Sequence, residues 1–224
     1  MEFILTESEF NEDNTAWNGN RFLMGNGYFG IRGTLEEYTK KQMCAVNMAG
    51  IYDKMGNSWR ESVNAPNPLY TYIKVNGKIY ALPDEKPKFH QQELDFRYGI
   101  HSRVTHWQTE HGNITVVCER FASIARQHNI AMKYTFSVDF DCEAEIITGI
   151  DGDVWDINGP HFVKMKIGSK DGADYVTGIT GEKNISVTVK EYIRTDFQAE
   201  QTNQNTDKSI FRHIKFSAKA EKEY

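Results

Sequence analysis

Gly25-Asn26-Gly27-Tyr28-Phe29-Gly30-Ile31-Arg32-Gly33-Thr34-Leu35-Glu36-Glu37 decides how this chain is read. Gly25, Gly27 and Gly30 match the spacing of a dinucleotide-binding loop. That loop works only between a strand and a helix, because the helix N-terminus carries the pyrophosphate. Here Gly33 and Thr34 follow at once, and both are poor helix-interior residues. No βαβ unit follows, and the partner sequences of a kinase-type loop are missing. The run reads instead as a tight, bulged β-ribbon in which glycines let backbones approach closely. In that ribbon Tyr28, Ile31 and Leu35 pack, and Arg32 pairs with Glu36 or Glu37.

Strand signals dominate on both sides of the run. Tyr72–Val75 and Lys78–Leu82 flank Asn76-Gly77, whose positive φ angles suit a type I′ hairpin. A second pair, Ser102–Thr109 and Ile114–Ala122, surrounds Glu110-His111-Gly112-Asn113. Along its second strand Ile114, Val116, Cys118 and Arg120 share one face. Further strands are expected at 129–139, 144–149, 162–167, 174–179, 185–192 and 209–218. Turns rich in Gly, Asn and Asp recur about every 8–12 residues, the spacing of a sandwich or barrel. Helix is expected only around Ser8–Asn14, with a turn near Phe197–Thr202 and a polar loop at Asn203–Lys208. The fold class is therefore all-β, in one domain over residues 1–224. The abrupt stop after Ile210–Phe216 reads as a piece of a longer chain.

Composition narrows the partners. With 31 acidic and 26 basic side chains the net charge is −5, so no basic excess exists to neutralise nucleic-acid phosphates or an anionic membrane. No apolar run spans a bilayer, and the N-terminus lacks the pattern of a signal peptide. Cys44, Cys118 and Cys142 are too few and scattered for a disulfide framework and read as reduced core thiols. The compartment expected is the cytoplasm.

Candidate chemistry is sparse. Asp151-Gly152-Asp153-Val154-Trp155-Asp156-Ile157-Asn158-Gly159-Pro160-His161 is acidic, but Trp155 and Asp156 stand where a calcium loop needs an oxygen ligand and a glycine. A projecting Trp among carboxylates suits a sugar-contacting surface, or simply a turn with its Trp tucked into the core. His101, His106 and His111 alternate faces on a strand and do not converge as zinc ligands. Glu36 and Glu37, adjacent on a strand, would point apart and make a poor glycosidase pair. No metal or cofactor is expected.

Taken in order, these segments resemble glycoside hydrolase family 65, the maltose, kojibiose, nigerose and trehalose phosphorylases and related hydrolases. The carriers are Gly25–Gly33 with Glu36-Glu37, Ala49-Gly50-Ile51-Tyr52-Asp53, Asn64–Pro68, Leu94–Gly99 with Arg103, Glu119–Ser123, and Asp151–Val154 through His161. The resemblance spans roughly residues 7–165. It implies an antiparallel β-super-sandwich of galactose-mutarotase shape, the N-terminal domain that precedes a helical linker and a catalytic (α/α)6 barrel. The barrel, expected beyond Tyr224, would carry the general acid and the inorganic phosphate co-substrate. The parent enzyme would convert an α-linked glucose disaccharide and phosphate into β-glucose 1-phosphate with inversion. This chain would hold no catalytic residue; it would pack on the barrel, shape the active-site rim and support a homodimer. Asn26, Arg32, Asp153, Trp155 and His161 are the residues expected at the domain contact or sugar rim. The alternatives are a free-standing carbohydrate-binding module stacking sugars on Trp155 or Trp107, a mutarotase-like enzyme, and a hydrolase of the same family. The long insertion Trp155-Asp156-Ile157 before Asn158, and the tail after Ile167, match the family pattern least and leave the linkage open.

Overall fold

The computed structural model describes residues 3–224. The chain opens with β1 (Ile4–Glu7), a 3-10 turn at Glu12–Asn14 and α1 (Thr15–Arg21). Then come β2 (Met24–Gly25), β3 (Phe29–Ile31), β4 (Val46–Asp53) and β5 (Glu61–Asn64). The middle of the chain forms β6 (Asn67–Val75), β7 (Lys78–Tyr80), β8 (Phe89–Asp95), β9 (Ile100–Gln108), β10 (Asn113–Ala122) and β11 (Ile130–Val138). The last third forms β12 (Cys142–Asp151), β13 (Phe162–Lys170), β14 (Ala173–Thr180), β15 (Ser186–Glu191), β16 (Glu200–Asn205) and β17 (Ile210–Ala218).

Four antiparallel sheets result: β1-β8-β9-β10-β11, β16-β17-β12-β6-β7, β13-β14-β15 and β2-β3-β4-β5. The first two face one another across the larger core, where Trp107, Ile114, Val116 and Phe136 meet Ile73, Ile146, Ile214 and Phe216. A second core, at one end of the β12 sheet, gathers Leu69, Ile150 and Ile210 from that sheet, Ile31 and Val46 from the β2–β5 sheet, and Val176 and Val187 from the β13–β15 sheet. The strict alternation of β6, Asn67 to Val75, produces this arrangement: every second residue is buried. Between the two cores the inward face of the β12 sheet turns polar, with Thr71 and Thr148 sharing a hydroxyl hydrogen bond of 2.8 Å.

The glycine run is a ribbon, followed by irregular backbone and a short 3-10 turn at Lys40–Gln42 rather than by an α-helix. Gly25 pairs with Gly30, and a Cβ on Gly25 would stand 2.6 Å from the Phe29 carbonyl oxygen. A Cβ on Gly33 would fall 2.3 Å from that of Phe22, so α1 and the ribbon meet where only glycine fits. Asn76 and Gly77 both have positive φ, as the type I′ hairpin needs. All three cysteines are buried and free.

Several expectations need correction. The helix lies at Thr15–Arg21, with only a 3-10 turn inside Ser8–Asn14. Between the turn expected near Phe197–Thr202 and the polar loop expected at Asn203–Lys208, Glu200–Asn205 form β16, an edge strand exposed at every position; a bend at Asp196–Phe197 and a loop at Thr206–Ser209 flank it. Pairing with β17 suffices to extend it despite its Gln and Asn content. Strands β1, β4, β5 and β8 carry weak signals and were not anticipated. Trp107 cannot be a stacking platform: it is 1% exposed and its indole nitrogen donates to the Glu85 carbonyl oxygen.

Candidate functional site

Two polar constellations stand out, and the glycine run leads into the first. Thr34–Glu37 follow β3 as irregular backbone, so Glu36 and Glu37 do not alternate as strand residues would. They converge on one guanidinium: Arg103 Nε donates to Glu36 at 2.7 Å and Nη2 to Glu37 at 2.6 Å. Arg120 donates to the other oxygen of Glu36 at 2.9 Å and to the Thr34 carbonyl oxygen. Arg32 is no partner of these acids. It donates to the carbonyl oxygens of Met43 and Ala16 instead, reaching past Gly19, where a Cβ would meet its guanidinium.

This cluster lies within the sandwich, all four charged side chains at most 2% exposed. Burial by itself would raise the Glu36 carboxyl, but Arg103 and Arg120 overturn it and hold the group at about 2. Glu37 shares Arg103 and is pushed up, by burial first. His90, hydrogen-bonded to Thr105, is driven down to about 4 by burial and by Arg103. Buried guanidiniums and carboxylates out of reach of any substrate make a structural clamp, not a catalytic pair. Asn26 fastens the ribbon from the other side. Its amide donates to the carbonyl oxygens of Ser123 and Gln127, and its carbonyl oxygen accepts from the backbone of Tyr28 and Phe29. The polar atoms of Asn26 and the donor groups of Arg32 named here are thus engaged inside the domain.

The second constellation lies at the surface, where the acidic stretch 151–161 meets the β4–β5 hairpin. Glu61 holds the loop with both oxygens: one accepts from the Asn158 backbone at 2.9 Å and the other from the Asn158 amide at 2.9 Å. His161 places Nε2 2.8 Å from Glu61 and Nδ1 3.7 Å from Asp53. Asn64 donates to the Trp155 carbonyl oxygen. Asp53 accepts from the backbone of Glu182 and Lys183, drawing in the β14–β15 turn, and Arg60 ion-pairs with Glu182. Gly159 lets Asp156 fold back, since a Cβ there would stand 2.4 Å from Asp156 Oδ2. Asp153 faces outward, between Lys40 at 2.7 Å and Lys208 at 2.8 Å.

The corner is rigid beneath and greasy above. Trp59 is 65% exposed and Ile157 67%, and Tyr52 and Met55 are also open. Trp155 is half-buried, with its indole nitrogen unpartnered. Burial pushes the Asp156 carboxyl up. Hydrogen bonds from Asn158 and His161 outweigh burial and lower that of Glu61. Among the described residues, the acidic and imidazole groups that converge closely enough to hold a metal ion are Glu61, Asp156 and His161. Of the five residues singled out in the sequence, the structure brings Trp155 and His161 into this corner, with Asp153 at its edge. The partners Asp53, Glu61 and Asn64 were missed as site residues. Two of them belong to segments that carry the family resemblance, Tyr52-Asp53 and Asn64-Ala65-Pro66; Glu61 has no sequence signal of its own.

Proteins similar to this antiparallel sandwich are named as phosphorylases of glucosides. A solved structure from the human microbiome, provisionally named a kojibiose phosphorylase, superposes with a TM-score of 0.88 at 20% identity. The match covers 99% of this chain and 31% of that one. The nigerose phosphorylase of Lachnoclostridium phytofermentans is 45% identical over 208 residues, 92% of this chain and 28% of that protein. The 1,2-alpha-glucosylglycerol phosphorylase of Bacillus selenitireducens is 37% identical over 193 residues, 85% of this chain and 25% of its own length. The kojibiose phosphorylase of Halothermothrix orenii is 31% identical, over 90% of this chain and 26% of its own length. The model of the glycosyl hydrolase family 65 N-terminal domain matches residues 5–224, and the chain belongs to that family. It spans about a quarter of the length of these curated relatives.

Proposed function

We propose that this chain is the non-catalytic N-terminal domain of an α-glucoside phosphorylase. Its parent would phosphorolyse an α-linked glucose disaccharide, with inversion, to β-glucose 1-phosphate. The carrying observation is the match of residues 5–224 to the family's N-terminal domain, set beside relatives roughly four times as long. The structure supports a non-catalytic role. Its adjacent acids, Glu36 and Glu37, are sealed under Arg103, out of reach of a glycosidic bond.

In this reading the domain packs on a catalytic (α/α)6 barrel, and the 151–161 corner shapes the rim of its active site, with Asp153, Trp155 and His161 in that region. Inorganic phosphate binds in the barrel, not at Gly25–Gly33. The parent is a cytoplasmic homodimer. No helix among the described residues is long and apolar enough to cross a membrane.

A chimera tests this. The chain replaces the matching segment of the Lachnoclostridium phytofermentans nigerose phosphorylase, and phosphorolysis is followed as sugar phosphate released. Retained turnover, with a raised KM after Trp155→Ala, is the expected result. A folded chimera whose kcat and KM ignore Trp155→Ala and Ile157→Ala would remove the corner from the rim.

A further inference from the structure

We propose that Glu61, Asp156 and His161 form a site for a divalent transition-metal cation of the zinc class, with Asp53 as an outer partner of the imidazole.

The three ligand groups come from β5 and the 151–161 loop, and their donor atoms lie within 4.8 Å of one another. Two ligands on one tetrahedral zinc, each at about 2.0–2.1 Å, stand roughly 3.3–3.5 Å apart, a spacing bracketed by the 2.8 Å between His161 and Glu61 and the 4.8 Å limit of the group. The hydrogen bonds do not close this cluster. His161 is 1% exposed, yet its Nδ1 has no hydrogen-bond partner. Asp156 Oδ1 is likewise buried and unpartnered. Buried polar atoms left over in one place mark a water or an ion.

Charge points to a cation. Formally three carboxylates, Asp53, Glu61 and Asp156, surround one imidazole. The cations near them are committed elsewhere: Arg60 and Lys54 pair with Glu182, and Lys40 and Lys208 with Asp153. One imidazole with two carboxylates is a donor set for zinc or manganese rather than calcium, which takes oxygen alone. The surroundings also suit a metal. A ligating imidazole commonly turns its second nitrogen to a carboxylate, and Asp53 stands 3.7 Å from Nδ1. Asn158 fixes the Glu61 carboxylate by two hydrogen bonds.

On binding, the imidazole keeps one hydrogen on Nδ1, on the Asp53 side, and gives its Nε2 lone pair to the cation; a hydrogen held on Nε2 leaves to solvent from the doubly protonated ring or moves through solvent to Nδ1 in the singly protonated one. Affinity therefore falls as pH falls. Occupancy would tie the loop to the hairpin and stiffen the corner.

The test is zinc titration of the chelator-stripped chain against a fluorescent competitor, with thermal melts in parallel. The expected result is about one zinc per chain and a melting temperature that rises with zinc. Asp156→Asn keeps the Oδ1 position but weakens binding by roughly tenfold or more and abolishes the zinc-dependent rise. Its metal-free melting temperature is unchanged. His111→Ala, at an exposed histidine away from the corner, leaves binding as it was. No saturable zinc binding, or binding that survives Asp156→Asn unchanged, overturns the proposal. Asp156→Asn is the deciding variant because His161→Gln removes a buried partner of Glu61 and can unfold the loop by itself.

Discussion

The buried clamp of Glu36, Glu37, Arg103 and Arg120 and the corner of Asp53, Glu61, Asp156 and His161 use similar residues to opposite ends. In the clamp two carboxylates meet two guanidiniums, every carboxylate oxygen that faces an arginine is matched by a donor, and solvent is excluded. In the corner three carboxylates meet one imidazole, polar atoms are left unpartnered, and apolar side chains stand in solvent above. The clamp matches its formal charges, although Arg120 Nε is also buried there without a partner. In the corner the formal charges do not match, and that imbalance is what separates the two.

The largest expected effect breaks the clamp. Arg103→Met leaves Glu36 and Glu37 buried without their shared partner, a loss of about 3–5 kcal/mol by urea denaturation. A loss below 1 kcal/mol would mean that water already reaches these acids.

Next comes Glu191, which lies beside Thr148 between the two cores and is raised to about 7, by burial above all. Its folded pKa exceeds the ordinary carboxyl value of 4.5. The neutral form is therefore the one the fold favours. Its contribution is complete below pH 4.5 and is lost as pH rises through 7, at most about 3 kcal/mol. Glu191→Gln should remove that slope and raise the melting temperature at pH 8. A variant with an unchanged pH profile would place the titration elsewhere.

Smaller still is the corner's own stability. Trp59→Ala and Ile157→Ala remove exposed apolar surface and should shift stability by no more than about 0.5 kcal/mol. Glu61→Gln weakens the hold on His161 and Asn158 by roughly 1–2 kcal/mol. Hydrogen exchange of the 151–161 amides should speed up in Glu61→Gln while β9 and β10 stay protected. Exchange that spreads into those strands would show the corner to be part of the core.

The fold was legible because its strands alternate cleanly: β6 and β9 bury every second residue, and β10 buries Ile114, Val116, Cys118 and Arg120. The burial of Arg120 beside Ile114, Val116 and Cys118 follows from that same face. What the sequence concealed depends on distant partners. Nothing local shows that Glu36 and Glu37 leave the strand geometry and turn to Arg103, 66 residues on from Glu37. β16 carries no apolar signal at all, and only its pairing with β17 makes it a strand. In the corner, Trp155 and His161 were legible as members of an acidic loop. Glu61 was not, because it lies 100 residues from His161 and reaches it only through the fold.

The sharpest measurement is phosphorolysis by the purified chain alone. It is incubated with phosphate and nigerose, kojibiose, maltose or trehalose, and glucose 1-phosphate is assayed. With Glu36 and Glu37 locked in the clamp, the chain should release none above a blank. Glucose 1-phosphate formed at a rate that follows the monodisperse protein peak would contradict the proposal that this domain is non-catalytic.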